Sequence, residues 1–314
     1  MGLHQLTQCE AHPDRIWSVA FSPDGSSILS ASGDCTICLF SFNLTDSDTC
    51  TLSLSKRFHQ HSRAVRRVIW HPDGEAFLSA SFDRSLCFFY DLPNYTIERI
   101  EGHECEVKGI AFSHNGYLAS CSRDRLVWVW EYNDMVDDFE VASVLHGHEQ
   151  DVKNVCWHPT ESLLASCSYD NTIRLWKDDD GLFVFDQVLE GHDDTVWSIE
   201  FSRCGNYLFS TGSDNRLFVW GRESEQWVKK LDFDLQIRHT AYELSIHPKF
   251  DLLAVAGGDH SITILNILNP LEPKLLVSRS NAHPSDVNTV HWHGEEKILV
   301  SGDDIGILKI WKLD

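Results

Sequence analysis

An internal repeat limits the folds open to this 314-residue chain. A segment of the form Leu-Ala-Ser-Cys-Ser-x-Asp ends at Asp124 and at Asp170, and a variant of it ends at Asp214. A tryptophan follows each aspartate by six residues, and a Gly-His pair precedes each segment. Recurrence at a fixed period of about 20–50 residues indicates copies of one supersecondary unit, each too small to bury its own apolar face.

Other copies of the unit are degraded but legible. In the first two copies phenylalanine takes the tryptophan position, as Phe40 and Phe89. The sixth copy has Asp259 and Leu265, and the dipeptide Gln-Ile at 236–237 replaces its Gly-His pair. The first six copies therefore share a turn aspartate and a large apolar or aromatic residue six positions later.

The period of the unit identifies its architecture. The last copy contains His283, Trp311 and either Asp303 or Asp304, with a turn one residue longer. The turn aspartates lie at 34, 83, 124, 170, 214, 259 and 304, with separations of 49, 41, 46, 44, 45 and 45 residues. A period of about 40–45 with Gly-His and Trp landmarks is typical of the WD repeat, which forms a four-stranded blade.

The sequence thus predicts an all-β, seven-bladed WD-repeat β-propeller as one domain over residues 1–314. The repeats are expected at approximately 11–44, 58–92, 100–133, 145–178, 189–222, 236–267 and 282–313. Because an open ring would expose sheet edges, we expect an N-terminal strand at 3–9 to complete the last blade. Strict alternation predicts that Val107, Gly109 and Ala111 share one side of the third repeat's first strand.

Histidine, serine, aspartate and tryptophan recur together in the middle repeats. The sets are His103/Ser120/Asp124/Trp130, His148/Ser166/Asp170/Trp176 and His192/Ser210/Asp214/Trp220. Such a set resembles a hydrolytic triad, but a catalytic site does not need three copies. We interpret the sets as structural networks, in which aspartate accepts from histidine and turn amides while serine links histidine to the indole N–H.

Charge and composition argue against several ligand classes. A net charge of −21 repels phosphate backbones and anionic membranes, so we expect no direct nucleic-acid binding and no membrane association. No apolar run approaches the ~18 residues of a membrane span, and the N-terminus lacks a signal-peptide layout. We therefore expect a cytoplasmic protein, with the nucleus as a second compartment.

The cysteines and histidines do not predict a metal site. The ten cysteines are expected to be reduced, mostly buried small apolar residues. Cys35 and Cys38 fall on a predicted strand, where residues three apart point to opposite faces. His291 and His293 would form a surface pair without a third ligand. We expect no metal, no cofactor and no enzymatic activity.

One rim of the propeller is expected to bind partners. It forms where each first strand begins, at Trp17, Arg66, Lys108, Lys153, Trp197, Tyr242 and Asn288. It also includes the residues before the turn aspartates: Gly33, Phe82, Arg123, Tyr169, Ser213, Gly258 and Asp303. Aromatic residues and arginine are enriched in binding hot spots. The predicted binding residues, centred on blades two to four, are Trp17, Arg66, Phe82, Lys108, Arg123, Lys153, Tyr169, Trp197 and Tyr242.

The opposite rim carries acidic runs at 134–140, 178–180 and 223–225, which we interpret as solvated loops between third and fourth strands.

From residue 60 to 220 the repeats also resemble a narrower family. The resemblance rests on segments 64–74, 79–83, 101–108, 121–124, 127–131, 151–159, 167–170 and 190–198. Together they resemble the WD-repeat subunit of the cytosolic iron–sulfur protein assembly (CIA) targeting complex, the Cia/Ciao-type protein. That resemblance implies a protein that is monomeric within a hetero-complex. It also implies contacts with a MIP-type small subunit, a HEAT-repeat adaptor, an iron-only-hydrogenase-like carrier and client apoproteins.

The resemblance also implies roles for particular residues. The family's functionally important surface arginine, in the Ser-Arg-Asp turn of blade three, maps to Arg123. Some members carry Leu-Tyr-Arg for cochaperone contact, where this chain has Leu-Trp-Lys at 175–177. Two other hypotheses remain: a scaffold of another complex, such as a ubiquitin-ligase substrate receptor or a chromatin-associated propeller, and an enzyme. An enzyme would need convergent carboxylates or metal ligands at the channel, which the sequence does not place there.

Overall fold

Seven antiparallel four-stranded sheets make up the computed structural model, which describes residues 2–45, 50–92, 94–133 and 138–314. Blade one contains β2 (Ile16–Phe21), β3 (Ser27–Ser32), β4 (Ile37–Leu44) and β5 (Cys50–Phe58). Blade two contains β6 (Val65–Trp70), β7 (Phe77–Ser81), β8 (Ser85–Tyr90) and β9 (Thr96–Glu101). Blade three contains β10 (Val107–Phe112), β11 (Leu118–Ser122), β12 (Val127–Asn133) and β13 (Asp138–Leu145).

The remaining blades follow the same plan. Blade four contains β14 (Val152–Trp157), β15 (Leu163–Ser168), β16 (Ile173–Asp179) and β17 (Leu182–Leu189). Blade five contains β18 (Val196–Phe201), β19 (Tyr207–Gly212), β20 (Arg216–Glu223) and β21 (Gln226–Asp234). Blade six contains β22 (Ala241–Ile246), β23 (Leu252–Gly257), β24 (Ile262–Asn266) and β25 (Lys274–Arg279). Blade seven contains β26 (Val287–Trp292), β27 (Ile298–Asp303), β28 (Ile307–Leu313) and β1 (Leu3–Glu10).

The ring closes through the N-terminal strand, which confirms that prediction. β1 pairs antiparallel with β28, from Leu3 opposite Leu313 to Glu10 opposite Ile307. The first strand of each blade contacts the first strand of the next, and β26 contacts β2. These seven strands therefore surround a central channel. The predicted repeats end after each third strand, whereas the blades also include the fourth.

Apolar side chains fill the space between neighbouring blades. One cluster joins blade four to blade five, through Ile173, Leu175, Ile199 and Trp220. Another joins blades six and seven and includes Leu3, so the closing strand contributes to the core as well as to the hydrogen bonding. No helix in the described ranges is long and apolar enough to cross a membrane.

The turn between second and third strands contains a left-handed residue in every blade. In blades one to six the residue after the turn aspartate is left-handed, with φ between 62° and 76°. The aspartate side chain accepts from the amide two residues later, as Asp124 does from Leu126 at 2.9 Å. In blade seven Gly306 takes the left-handed position, with φ of 83°. The longer last turn therefore needs glycine three residues after Asp303.

Each first strand carries a β-bulge at its second residue, which the alternation rule did not predict. In blade three Val107 pairs with Ser122 and Gly109 with Cys121, so Lys108 is the extra residue. The bulge turns Val107 to the same side as Ile110, toward blade two, while Ala111 faces blade four. The prediction that Val107 and Ala111 share one side is therefore wrong.

Candidate binding face

Beneath the turns, six blades contain a histidine–serine–aspartate network. In blade three His103 Nδ1 donates to Asp124 Oδ2 at 2.7 Å, and Trp130 Nε1 donates to Ser120 Oγ at 2.9 Å. Since the carboxylate only accepts, Nδ1 carries the ring hydrogen, and Ser120 Oγ donates to Nε2 at 2.8 Å. The four groups form one chain of hydrogen bonds in which each buried polar atom has a partner.

The other two predicted sets have the same geometry. In blade four His148 lies 2.8 Å from both Asp170 and Ser166, and in blade five His192 lies 2.7 Å from both Asp214 and Ser210. The indoles donate to the serines at distances of 2.9 and 2.8 Å, from Trp176 and Trp220. All three serines, Ser120, Ser166 and Ser210, are fully buried.

Sequence reasoning missed two networks and left a third unresolved. His12 bonds Asp34 and Ser30, and His61 bonds Asp83 and Ser79, all within 3.0 Å. Alanine and glutamine precede these histidines in place of glycine. Each histidine nevertheless lies 22 residues before its aspartate, as His148 does before Asp170, and this spacing could have predicted both networks.

The last blade uses Asp303 rather than Asp304. Asp303 accepts from His283 at 2.9 Å, and Trp311 donates to Ser301 at 2.7 Å. Asp303 is 0% exposed, so its predicted place on the rim is wrong. Asp304 holds that place, since its amide bonds to the carbonyl of Asp286 as the corresponding amides do in other blades. Because the last turn is one residue longer, the last repeat was aligned with the other repeats one position out of register.

Hydrogen bonding sets the charge of the network aspartates. Burial alone would raise the pKa of Asp34, but hydrogen bonds from His12 and Thr36 outweigh it and lower that pKa to about 2. At four other network aspartates burial also raises the pKa, and the hydrogen bond from histidine and other bonds outweigh it. The pKa is therefore lowered at Asp83, Asp124, Asp170 and Asp214. The networks therefore favour an ionised aspartate.

We call the side that carries these turns the upper face, and the side with the first-to-second and third-to-fourth strand turns the lower face. The bulged residues of the first strands converge on the upper face at the mouth of the channel. Arg66, Lys108, Lys153, Trp197 and Tyr242 line one crevice there, in which a volume of only about 10 Å³ remains open. The bulge aims these side chains inward, so residues far apart in sequence form one cluster.

Lys153 occupies an aromatic enclosure within this cluster. Its ammonium lies 3.3 Å from the ring centre of Tyr169 and 4.2 Å from that of Trp197, and the residue is 6% exposed. Burial first, and then the charges of Lys108 and Arg66, lower the pKa of Lys153 to about 6. The ring faces attract the ammonium form and oppose this shift. The predicted exposed cation is thus an interior group of the mouth.

Aromatic rings continue around the mouth as a rigid row. Trp197 meets Tyr169 and Tyr242 edge-on, with ring centres 5.8 and 5.3 Å apart. Its indole donates to Ser213 Oγ at 2.8 Å, and the Tyr242 hydroxyl donates to Asp286 at 3.4 Å. Rings held in fixed positions lose little entropy when a partner binds.

The other mouth cations are paired or stacked. Lys108 forms an ion pair with Asp151. Arg66 stacks over Trp17, with its guanidinium carbon 5.0 Å from the ring centre, and donates to the Trp17 carbonyl at 3.2 Å. Burial and the neighbouring Arg67 lower the pKa of Arg66 to about 10.

Arg123 and Phe82 also belong to the upper face, but neither is among the residues that line the mouth crevice. Arg123 is 59% exposed along its side chain and lies 3.4 Å from Glu106. Arg63 shares Glu106 at 3.0 Å and covers the ring of Phe82 at 5.9 Å. The structure thus divides the predicted residues into a mouth cluster and an Arg123–Phe82 cluster. Glu106 and Arg63 were not predicted, because nothing in the sequence indicates that residues 43 positions apart meet.

Below the mouth the channel wall is charged but mostly paired. Arg67 forms an ion pair with Glu243. Glu200 accepts from the amide of Ile246 at 2.9 Å, and burial raises its pKa to about 8. His291 accepts from the amide of Phe21 at 3.3 Å, and burial lowers its pKa to about 4. His291 therefore belongs to the channel wall, so the predicted surface pair with His293 is wrong.

The remaining sequence motifs lie elsewhere. Cys35 is in the turn before β4, with φ of 70°, so its predicted place on a strand is wrong. Burial raises the pKa of Cys38 to about 12. The described residues contain no group of three side chains able to hold a metal ion. Acidic runs 178–180 and 223–225 lie at third-to-fourth strand turns, whereas residues 134–137 of the first run lie outside the described residues.

A family model described as "WD domain, G-beta repeat" matches six segments of the chain, at residues 3–41, 52–89, 94–131, 139–177, 183–221 and 275–312. Each matched segment contains the fourth strand of one blade followed by strands of the next. The unmatched stretch between 221 and 275 contains the first three strands of blade six, where Ile237, Val255 and Leu265 replace the histidine, serine and tryptophan.

Relatives from fungi are similar over most of the chain. "Probable cytosolic iron-sulfur protein assembly protein 1" of Chaetomium globosum is 43% identical over 292 residues, which covers 68% of this chain and 64% of the relative. The protein of the same name from Neurospora crassa is 30% identical, with 68% and 67% covered. "Probable cytosolic Fe-S cluster assembly factor" of Schizosaccharomyces japonicus is 34% identical, with 96% and 52% covered. The chain thus spans about half to two thirds of the length of these relatives.

Proposed function

The chain belongs to the WD40-repeat family and, within it, to the Cia1-type cytosolic iron–sulfur protein assembly proteins, and from this premise we propose that it is a non-catalytic scaffold of the CIA machinery. In this role it recognises assembly partners and client apoproteins, so that clusters reach cytosolic and nuclear proteins. Its proposed partners are a MIP-type small subunit, a HEAT-repeat adaptor, an iron-only-hydrogenase-like carrier and the clients. The proposed location is the cytoplasm, with the nucleus as a second compartment.

The arrangement of the upper face carries this proposal. A row of rings held by hydrogen bonds, with Trp197 between Tyr169 and Tyr242, stands beside Arg66 and Lys153 at the mouth. Buried aromatic and arginine anchors dominate the energies of protein interfaces. Arg123 extends this surface outward, where a partner can reach it.

The buried serines support a non-catalytic role. A nucleophile must be reachable by the substrate carbon that it attacks, whereas Ser120, Ser166 and Ser210 are fully buried between histidine and indole. Six blades repeat the histidine–serine–aspartate contacts, and four of these add the indole. These histidine–serine–aspartate groups therefore suit a structural role, in which they hold the turns in place.

Partner capture from cells tests the proposal. The chain carrying Arg123→Glu with Trp197→Ala should retain less than about a tenth of the CIA partners that wild type captures, since hot-spot residues contribute about 2 kcal/mol or more each. Lys274→Glu, a change from a positive to a negative charge on the lower face, is the matched control and should capture as wild type does. Circular dichroism melting establishes that each variant is folded.

Two results would contradict the proposal. Undiminished capture by the folded double variant would remove the upper face as the binding surface. Recovery of ubiquitin-ligase or chromatin proteins without iron–sulfur assembly proteins would show that the scaffold serves another complex.

A further inference from the structure

A groove of about 480 Å³ lies on the lower face between blades two and three. Phe88 and Tyr90 alternate along β8, so both rings face blade three, and the ring centres stack 5.3 Å apart. Phe139 of β13 meets Phe88 edge-on at 5.4 Å, and Tyr132 of β12 meets Phe139 at 5.2 Å. Four rings from two blades therefore form one continuous wall.

The edge of this groove is acidic. Asp73 and Glu75 lie in the turn between β6 and β7, and Asp91 follows β8. His71 Nδ1 lies 2.8 Å from Asp73, whose side chain is still 52% exposed. No lysine or arginine is among the described residues that line the groove. The carboxylates thus face solvent over an aromatic floor, and His71 is the one side chain among the described lining residues that could carry a positive charge beside them.

Such a surface favours one class of ligand. The faces of aromatic rings carry negative charge density and attract cations, and carboxylates pair with guanidinium or ammonium groups. An acidic ligand would meet three carboxylates and a net charge of −21. A purely apolar ligand would cover those carboxylates without offering them a hydrogen-bond or ion-pair partner in exchange for water. The volume lies within the range of about 300–1,000 Å³ of sites that enclose a ligand group.

We propose that this groove binds an arginine or lysine side chain presented by an extended segment of a partner protein. The aliphatic stem of the side chain lies along Phe88 and Tyr90, and its charged end reaches Asp73 and Asp91. The groove is on the opposite face from Arg123 and the channel mouth. Binding here is therefore independent of the function proposed for the upper face.

Fluorescence anisotropy with a short synthetic peptide tests the proposal. The probe is Gly-Ser-Arg-Leu-Arg-Gly-Ser with a neutral dye, and its control has citrulline at both arginines, which removes the charge but keeps the shape. We expect the dissociation constant to rise about fivefold in Tyr90→Leu, which loses an aromatic face. In Asp73→Asn with Asp91→Asn it should rise about tenfold, since two carboxylate partners are lost. Citrulline should weaken binding by about tenfold or more.

Matched variants separate this site from other acidic surfaces. Asp179→Asn with Asp180→Asn removes the same charge from the lower-face turn of blade four and should leave the dissociation constant within about twofold. Arg123→Glu should also leave it unchanged, whether or not capture of CIA partners fails. Equal binding of the citrulline peptide, equal weakening in the blade-four variant, or no saturation by about 1 mM peptide would each overturn the proposal.

Discussion

Replacing Ser166 with alanine would break the blade-four network at its centre. Ser166 Oγ is fully buried, lies 2.8 Å from His148 Nε2 and accepts from Trp176 Nε1 at 2.9 Å. The substitution leaves one buried acceptor and one buried donor without a partner, each at a cost of about 1–3 kcal/mol. We expect the free energy of unfolding to fall by about 2–6 kcal/mol, a large share of the ~5–15 kcal/mol typical of a domain.

Blade six supplies an internal comparison, because apolar residues fill the corresponding positions. Ile237, Val255 and Leu265 are all buried there in one cluster. The triple variant His148→Ile, Ser166→Val, Trp176→Leu copies this set and leaves no unpaired group among the three. Its loss of stability should be smaller than the sum of the three single losses by about 2 kcal/mol or more, although Trp176→Leu still loses packing.

Urea unfolding followed by far-ultraviolet circular dichroism measures these losses without depending on tryptophan fluorescence. Ser53→Ala is the control, since Ser53 is an exposed residue of an outer strand, and it should change stability by less than about 0.5 kcal/mol. A Ser166→Ala variant as stable as the control would refute the argument. So would a triple variant whose loss equals the sum of the single losses.

Titration and thiol chemistry give further predictions. The folded-state pKa of the network aspartates is lowered, to about 2 for Asp34. The ionised aspartates therefore stabilise the fold above about pH 4, and this stabilisation is lost as the pH falls toward 2. In Asp34→Asn the urea concentration at the midpoint of unfolding should depend less on pH over this range. The pKa of Lys153 is about 6 in the folded chain and near 10 in the unfolded chain. Between these two values the unfolded chain keeps the lysine protonated, whereas the folded chain does not. Burying the protonated lysine therefore lowers the folding stability most below pH 6. For this reason Lys153→Met should raise the melting temperature more at pH 6 than at pH 9. The reverse order would mean that the aromatic rings keep the lysine charged. Cys204 is exposed and hydrogen bonds lower its pKa against the opposing effect of burial, so a disulfide reagent should label it first, while Cys121 and Cys167 should react only on unfolding.

The regular parts of the chain could be predicted from its sequence because each depends on local spacing. The spacing of the turn aspartates, with tryptophan or another large apolar residue a fixed distance later in most repeats, was enough to place seven blades, and the segment at 3–9 was enough to close the ring. The networks at His103, His148 and His192 followed from the same spacing. Such features depend on short stretches of backbone, which one repeat shares with the next.

The predictions failed where one residue changes the register or where contacts cross blades. The bulge at Lys108 reverses the side on which Val107 lies. One inserted residue left Asp303 and Asp304 as alternatives for the last network, and the structure uses Asp303. The enclosure of Lys153 depends on Tyr169 and on Trp197 from the next blade. Hydropathy along a single strand contains no information about such neighbours, so an interior lysine was predicted as a surface cation.

The networks and the proposed binding residues of the upper face are connected through the turn backbone. In blade three Asp124 is held by His103, and the preceding residue, Arg123, donates its amide to the carbonyl of Glu106 at 2.9 Å. Glu106 lies two residues before the bulged Lys108 and also accepts from Arg123. One hydrogen-bonded turn thus positions residues of both upper-face clusters. Loss of the network in a single blade should therefore disturb recognition at that blade even while the remaining blades keep the ring folded.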